Sequence, residues 1–190
     1  MRHAALLIPG FLGTRSVLHP LEERLERAGT PAFSVNLGVH SAHSFERALH
    51  LTNQRLVGIR ERYPALTHLD VIGHSMGGLV GLDLLHQGAF AGLSVRLVTL
   101  GTPFRGTWAA LLGIPFSRSA REMVPFWRRQ PALFDLDIPF LSIAGDEDVL
   151  APPSRCRHPD AENHVVQADH AGLLFRKEVF QLIHTFCTPV

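Results

Sequence analysis

Apolar residues along this chain fall into two alternating kinds of segment. Short continuous runs, Ala4 to Ile8, Pro31 to Leu37, His68 to Ile72, Val95 to Leu100, Ile138 to Ala144 and His164 to Ala168, have the length and β-branched content of strands buried on both faces. Between them lie stretches with apolar residues three and four apart. Leu18, Leu21, Leu25 and Ala28 predict one helix, with Pro20 in its tolerant first turn and Gly29 closing it. Ser44 is placed to cap a second, which carries Phe45, Leu49, Leu56 and Ile59 on one face until Pro64. Met76 to Gln87 predicts a third, ended by Gly88, and Arg176 to Phe186 a closing helix with Val179, Ile183 and Phe186 inward.

Strand and helix in alternation predict an α/β fold: a three-layer sandwich with a mostly parallel sheet of about six strands, its ligands at the carboxyl ends of the strands. The 190 residues, 21.0 kDa, suit one domain spanning 1–190. No repeat or linker divides them, and residues 101–137 form a connection longer than a crossover helix needs. That segment is the candidate lid, and its dense apolar side chains, such as Trp108, Leu111, Leu112, Phe116 and Trp127, read equally as plain core or as the wall of a ligand groove.

Composition narrows the function classes. A net charge of +1 with scattered arginines leaves no electrostatic footprint for nucleic acid, so no nucleic-acid partner is expected. Two cysteines, Cys156 and Cys187, make no disulfide framework, and reduced thiols are expected. The amino terminus runs straight into a strand without the features of a signal peptide, and no apolar run approaches the roughly 18 residues of a membrane span. The expectation is a cytoplasmic monomer without a transmembrane segment, needing neither metal nor cofactor.

The chemistry centres on VIGHSMGG at residues 71–78, where G-x-S-x-G joins a predicted strand to a predicted helix. A serine on so sharp a turn has its hydroxyl raised above the sheet edge, and flanking glycines allow backbone and helix to pass close by. Ser75 is therefore the candidate nucleophile. It requires a base, and the base an orienting acid. In nucleophile-elbow enzymes these follow in the order serine, acid, histidine, each on a loop after a later strand. Among 12 histidines, position singles out His170 on the loop after the sixth strand. Asp146, Glu147 and Asp148 all follow the fifth, and spacing leaves the acid open among them. Backbone N–H groups of Phe11, on the loop after the first strand, and Met76, after the nucleophile, are the candidate oxyanion donors.

Five stretches in order, PGFLGT, GHSMGG, TLGTPFRGT, GDEDVLAPP and DHAGLLF, resemble the oxyanion loop, nucleophile elbow, GTP segment, acid loop and histidine loop of the α/β-hydrolase family, more narrowly its small lipase and esterase branch. The resemblance implies a minimal α/β-hydrolase fold without a full cap domain and a Ser75, His170, Asp148 triad. Asp148 is implied because it stands three residues after Gly145, as the family's acid does. A cofactor-free serine hydrolase is thereby expected, cleaving carboxylic esters of small molecules or lipids through an acyl-enzyme, with acyl transfer or thioester cleavage as the alternative and interfacial lipid contact as a further expectation. A binding protein without catalysis is the least favoured reading, since no triad member is missing. Leu12, His74, Phe104, Trp108 and Leu112 are the expected substrate contacts. Pro9 and Phe104 stand where the family often has His, so a polar contact made there is not expected of this chain.

Overall fold

The computed structural model describes residues 1–11, 13–38, 44–107, 118, 121–124 and 136–188. Six strands, β1 (His3–Ile8), β2 (Ala32–Ser34), β3 (His68–His74), β4 (Ser94–Leu100), β5 (Phe140–Gly145) and β6 (Glu162–Val166), form one sheet in the order β2-β1-β3-β4-β5-β6. Every pairing is parallel. Helices α1 (Arg15–Arg27), α2 (Phe45–Arg62), α3 (Met76–His86), α4 (Pro153–Cys156) and α5 (Lys177–Cys187) fill the connections, with a 3-10 turn at Gly172–Leu174.

The period of two along each strand divides the core. Leu6, Leu69, Val71 and Leu97 face one way, onto Phe45, Leu56 and Ile59 of α2 and Leu79 and Leu82 of α3. Ala5, Leu7, Ile72, Val98 and Ile143 face the other, onto Leu18, Leu21 and Leu25 of α1 and Val179 and Ile183 of α5. Both faces are therefore covered, which is why the strands read as continuous apolar runs. The punctuation holds as well: Ser44 Oγ accepts from Arg47 N at 3.2 Å to cap α2, while Gly29 and Gly88 close α1 and α3 at φ 89° and 71°.

Among the boundaries that differ from expectation, three bear on the packing. Strand β2 keeps three residues, since only Ala5 to Leu7 of β1 lie alongside it. Strand β6 begins at Glu162 and ends at Val166, leaving Ala168 free for the loop. Helix α1 starts at Arg15, so Pro20 sits inside it. The earlier start brings Leu18 into the core beside Leu21 and Leu25, and that burial offsets the backbone hydrogen bond that proline cannot donate. Within 101–137, Phe104 and Met123 are buried core residues.

A polar cluster closes the amino-terminal end of the sheet. Asp70 is buried, with Oδ2 2.7 Å from His3 Nε2 and Oδ1 accepting from Arg96 Nε at 2.7 Å. The buried Cys187 thiol of α5 lies near the same carboxylate, and burial, aided by the Asp70 charge, pushes its pKa up.

Two buried histidines make folding sensitive to acid. His158 is packed against Phe104 and Phe140, with ring centroids 5.0 and 4.8 Å away, and its Nδ1 accepts from Asp160 N at 3.3 Å. Burial lowers its pKa from 6.5 to about 4. His74 is lowered to about 4 as well, first by burial and then by the neighbouring His170. Each binds its proton more readily in the unfolded chain, so the stability present above pH 6.5 is lost as pH falls toward 4, on the order of 3 kcal/mol per group. Urea unfolding at pH 7, 5.5 and 4.5 should follow this slope, and His158→Phe should flatten it. An identical slope in the variant would remove His158 as a cause.

Candidate active site

Strand β3 lies at the middle of the sheet and delivers Ser75 at its carboxyl end. Ser75 has φ 53° and ψ −122°, and among the described residues it alone, glycine apart, takes a positive φ. Such a conformation costs on the order of 1–3 kcal/mol and persists only where its surroundings impose it. Here Ser75 N donates to Leu100 O at 2.8 Å, and Ser75 O accepts from Gly78 N at 3.1 Å and Thr102 Oγ1 at 3.0 Å. The flanking glycines answer to close packing: a Cβ on Gly73 would lie 2.4 Å from Gly78 N, and one on Gly77 would lie 2.2 Å from Ile8 O. Any side chain there would push α3 off the sheet.

Asp148 and His170 arrive from the loops after β5 and β6. Asp148 Oδ2 lies 2.6 Å from His170 Nδ1, within a charge-assisted hydrogen bond. Its other oxygen, Oδ1, accepts from Leu150 N at 2.9 Å and Ala151 N at 2.8 Å. The carboxylate is buried, whereas the imidazole retains 19% of its side-chain exposure. The neighbouring acids go elsewhere. Asp146 is exposed and its Oδ1 accepts from Ala168 N at 3.2 Å, bracing one loop against the other, and Glu147 is exposed too. Of the three acids left open by spacing, Asp148 is the one that meets His170.

Two further loops close on this group. Gly10 follows β1, and a Cβ there would lie 2.9 Å from Ser75 Cβ and 3.3 Å from His74 Nδ1, so the backbone leading to Phe11 passes directly beside the serine. Phe11 is 42% exposed, and Met76 begins α3, where unpaired helix N–H groups and the dipole favour negative charge. Gly101 follows β4 with φ 57°, and a Cβ on it would lie 3.1 Å from both Asp148 Oδ2 and His170 Nδ1. Gly101 and Thr102 were not singled out by sequence reasoning as individual residues. Their signal was TLGTPFRGT, whose Gly leaves room for Asp148 and His170 and whose Thr fastens the turn at Ser75.

The expected substrate contacts separate. His74 is buried beside the site, where its Nε2 donates to His170 O at 2.9 Å. Phe104 is 1% exposed, with its ring edge-on to Phe140 and His158 within the core. Leu12, Trp108, Leu112 and Trp127 lie outside the described residues. Among the described residues no three His, Cys, Asp or Glu side chains converge as a metal site, and no helix is long and apolar enough to cross a membrane.

A hydroxyl on a strained turn, a ring held by a buried carboxylate and a helix N-terminus beside them make a group that can activate an oxygen nucleophile and stabilise an anion. A family model for PGAP1-like alpha/beta domains matches residues 33–148. No curated protein sequence matches the chain. Among solved structures, a lipase of Bacillus licheniformis in mature form is 15% identical, with 97% of this chain and 91% of that one covered and a TM-score of 0.79. A metagenome-derived lipolytic enzyme is 15% identical over 97% and 93%, TM-score 0.77. A monoglyceride lipase variant from Saccharomyces cerevisiae is 18% identical over 97% and 84%, TM-score 0.68. The six-stranded parallel sheet is thus the minimal α/β-hydrolase fold.

Proposed function

Since the chain belongs to the family of PGAP1-like alpha/beta domains, we propose that it is a serine hydrolase of carboxylic esters, with Ser75 as nucleophile, His170 as base and Asp148 as the acid that orients it. The observation that carries this reading is the 2.6 Å pair of Asp148 and His170 beside a serine at φ 53°. The lipase and lipolytic neighbours support the ester as substrate class.

In the first step Ser75 Oγ attacks the carbonyl carbon as its proton passes to His170 Nε2, and the carbonyl electron pair moves onto oxygen. The N–H groups of Phe11 and Met76 hold that oxyanion. Collapse breaks the ester C–O bond, His170 returns the proton to the leaving alcohol, and an acyl-Ser75 remains. Water, deprotonated by His170, repeats the sequence and frees the acid. Asp148 keeps the proton of His170 on Nδ1 and steadies the imidazolium. An added alcohol or thiol replacing water would give acyl transfer on the same residues.

A graded series of p-nitrophenyl esters from acetyl to dodecanoyl tests the reading, with fluorophosphonate labelling in parallel. Hydrolysis and labelling confined to Ser75 are expected, and absence of both from folded protein would overturn it. The acyl wall is proposed to lie in 101–137. Replacing Trp108, Leu112 or Trp127 by Ala should shift kcat/KM between short and medium acyl chains by about 1 to 3 kcal/mol. An unchanged ranking in all three variants would remove the wall from that segment.

A further inference from the structure

We propose that His74 is a positioning residue, whose Nε2–H holds the backbone of His170 so that the catalytic imidazole is fixed beside Ser75. The inference rests on the hydrolase reading for its catalytic consequence, though its geometry does not.

His74 is the last residue of β3 and the immediate neighbour of Ser75 in the chain. Strand alternation sends its side chain to the same face as Ile72, toward the layer where Leu173 and Leu174 of the histidine loop pack. There Nε2 donates to His170 O at 2.9 Å, and the two rings lie 4.8 Å apart at 47°. A carbonyl only accepts, so the proton of His74 is on Nε2 and Nδ1 is left as a bare acceptor against Gly10. One side chain thus bonds the base loop and fills the space that a Cβ on Gly10 of the oxyanion loop would enter, 3.3 Å from Nδ1, all from the residue next to the nucleophile.

The base loop needs such a hold. It follows β6, which pairs on one side with β5 at the sheet edge. Its other hydrogen bonds close on themselves, as Gly172 N to Asp169 Oδ1 at 2.6 Å and Leu174 N to Ala171 O at 3.0 Å do, reach the acid loop, as Glu147 N to Ala168 O does at 3.2 Å, or come from α1 at the loop's far end, where Arg24 donates to Arg176 O at 3.3 Å. Among the described residues, the bond from His74 is the one that joins this loop to the strand carrying Ser75. Asp148 fixes the ring at Nδ1, and His74 fixes the backbone from which the ring hangs. Burial keeps His74 neutral, with its pKa near 4, so it remains a donor of the same kind while His170 gains and loses its proton. A cation at that position would repel the imidazolium formed in catalysis.

The test compares His74→Leu, which fills space without a donor, with His74→Gln, whose amide reaches about as far as Nε2, and His74→Asn, whose shorter amide does not. Three quantities are read on folded protein: kcat and KM for p-nitrophenyl acetate, the far-downfield proton resonance of His170 Nδ1–H, and the thermal midpoint. Leu and Asn should lower kcat about 10- to 100-fold with KM little changed, the cost of a misplacement on the ångström scale, and should broaden or abolish the His170 resonance. Gln should restore both. Should Leu fail to fold, Asn against Gln decides. The proposal is overturned if Leu or Asn retains wild-type kcat and resonance, or if folded Gln loses as much as Asn. If wild-type protein neither hydrolyses the ester nor labels at Ser75, the hydrolase reading fails, while the response of the resonance still decides whether His74 positions His170.

Discussion

Replacing Ser75 by Ala should lower kcat for ester hydrolysis by on the order of 10⁶ and leave the fold in place. The hydrogen bonds that impose the turn run through the backbone of Ser75, from its N to Leu100 O and to its O from Gly78 N and Thr102 Oγ1. Alanine retains all of these, together with the Cβ that packs beside Gly10. Only the oxygen nucleophile is removed. A triad acts as a unit, so the remaining His170 and Asp148 should recover almost nothing by themselves. Thermal unfolding should shift little, and fluorophosphonate labelling should vanish. A purified variant with even one hundredth of wild-type turnover, contamination excluded, would mean that the nucleophile lies elsewhere.

Asp148→Asn should lower kcat by about 10⁴, and the reason is an orientation forced by the acid's own loop. Leu150 N and Ala151 N both donate to Oδ1, so an Asn at this position must turn its carbonyl oxygen to them and its NH2 toward His170. The imidazole would then accept at Nδ1 and carry its proton on Nε2, the wrong tautomer for receiving one from serine. Asp146→Asn should cost less than about tenfold, a loss of geometry rather than of a tautomer, because an amide oxygen can still accept from Ala168 N. Measuring both variants against the same ester checks the assignment, and equal losses would refute it.

What could be read from the chain follows from where burial is continuous. Strands covered on both faces stand out as unbroken apolar runs, which marks β1, β3, β4 and β5, while alternation with helices marked the edge strands and the parallel pairing, and the helices whose caps lie in local sequence were legible too. The core positions on α3 were less so: it is buried almost all round, Met76 to Leu82 included, because Gly73, Gly77 and Gly78 let it sit directly on the sheet. Pro20 was misleading, since local preference yielded to the burial of Leu18. Contacts between distant segments left no trace. Nothing near His3, Asp70, Arg96 or Cys187 announces that the four meet, and spacing among Asp146, Glu147 and Asp148 does not tell which will turn inward. Phe104 belongs to the same class, its ring buried with Phe140 and His158. For His74, position marked it as close to the reaction but gave no partner.

The brace on Ser75 also has a bearing on synthesis. Its backbone N–H is held by Leu100 at the end of β4, and β4 is in turn fixed by Gly101 N donating to Ile143 O of β5. Both supports leave the ribosome after the serine does, and the loop bearing His170 later still. A nascent chain ending between β3 and β4 therefore holds Ser75 without the bonds from Leu100 and Thr102 that impose its strained turn. Parallel strands so separated in sequence pair slowly, since each must wait for a long crossover to close. On the proposed triad, the polypeptide should therefore be inert toward esters until β6 has paired with β5 and brought the His170 loop into place.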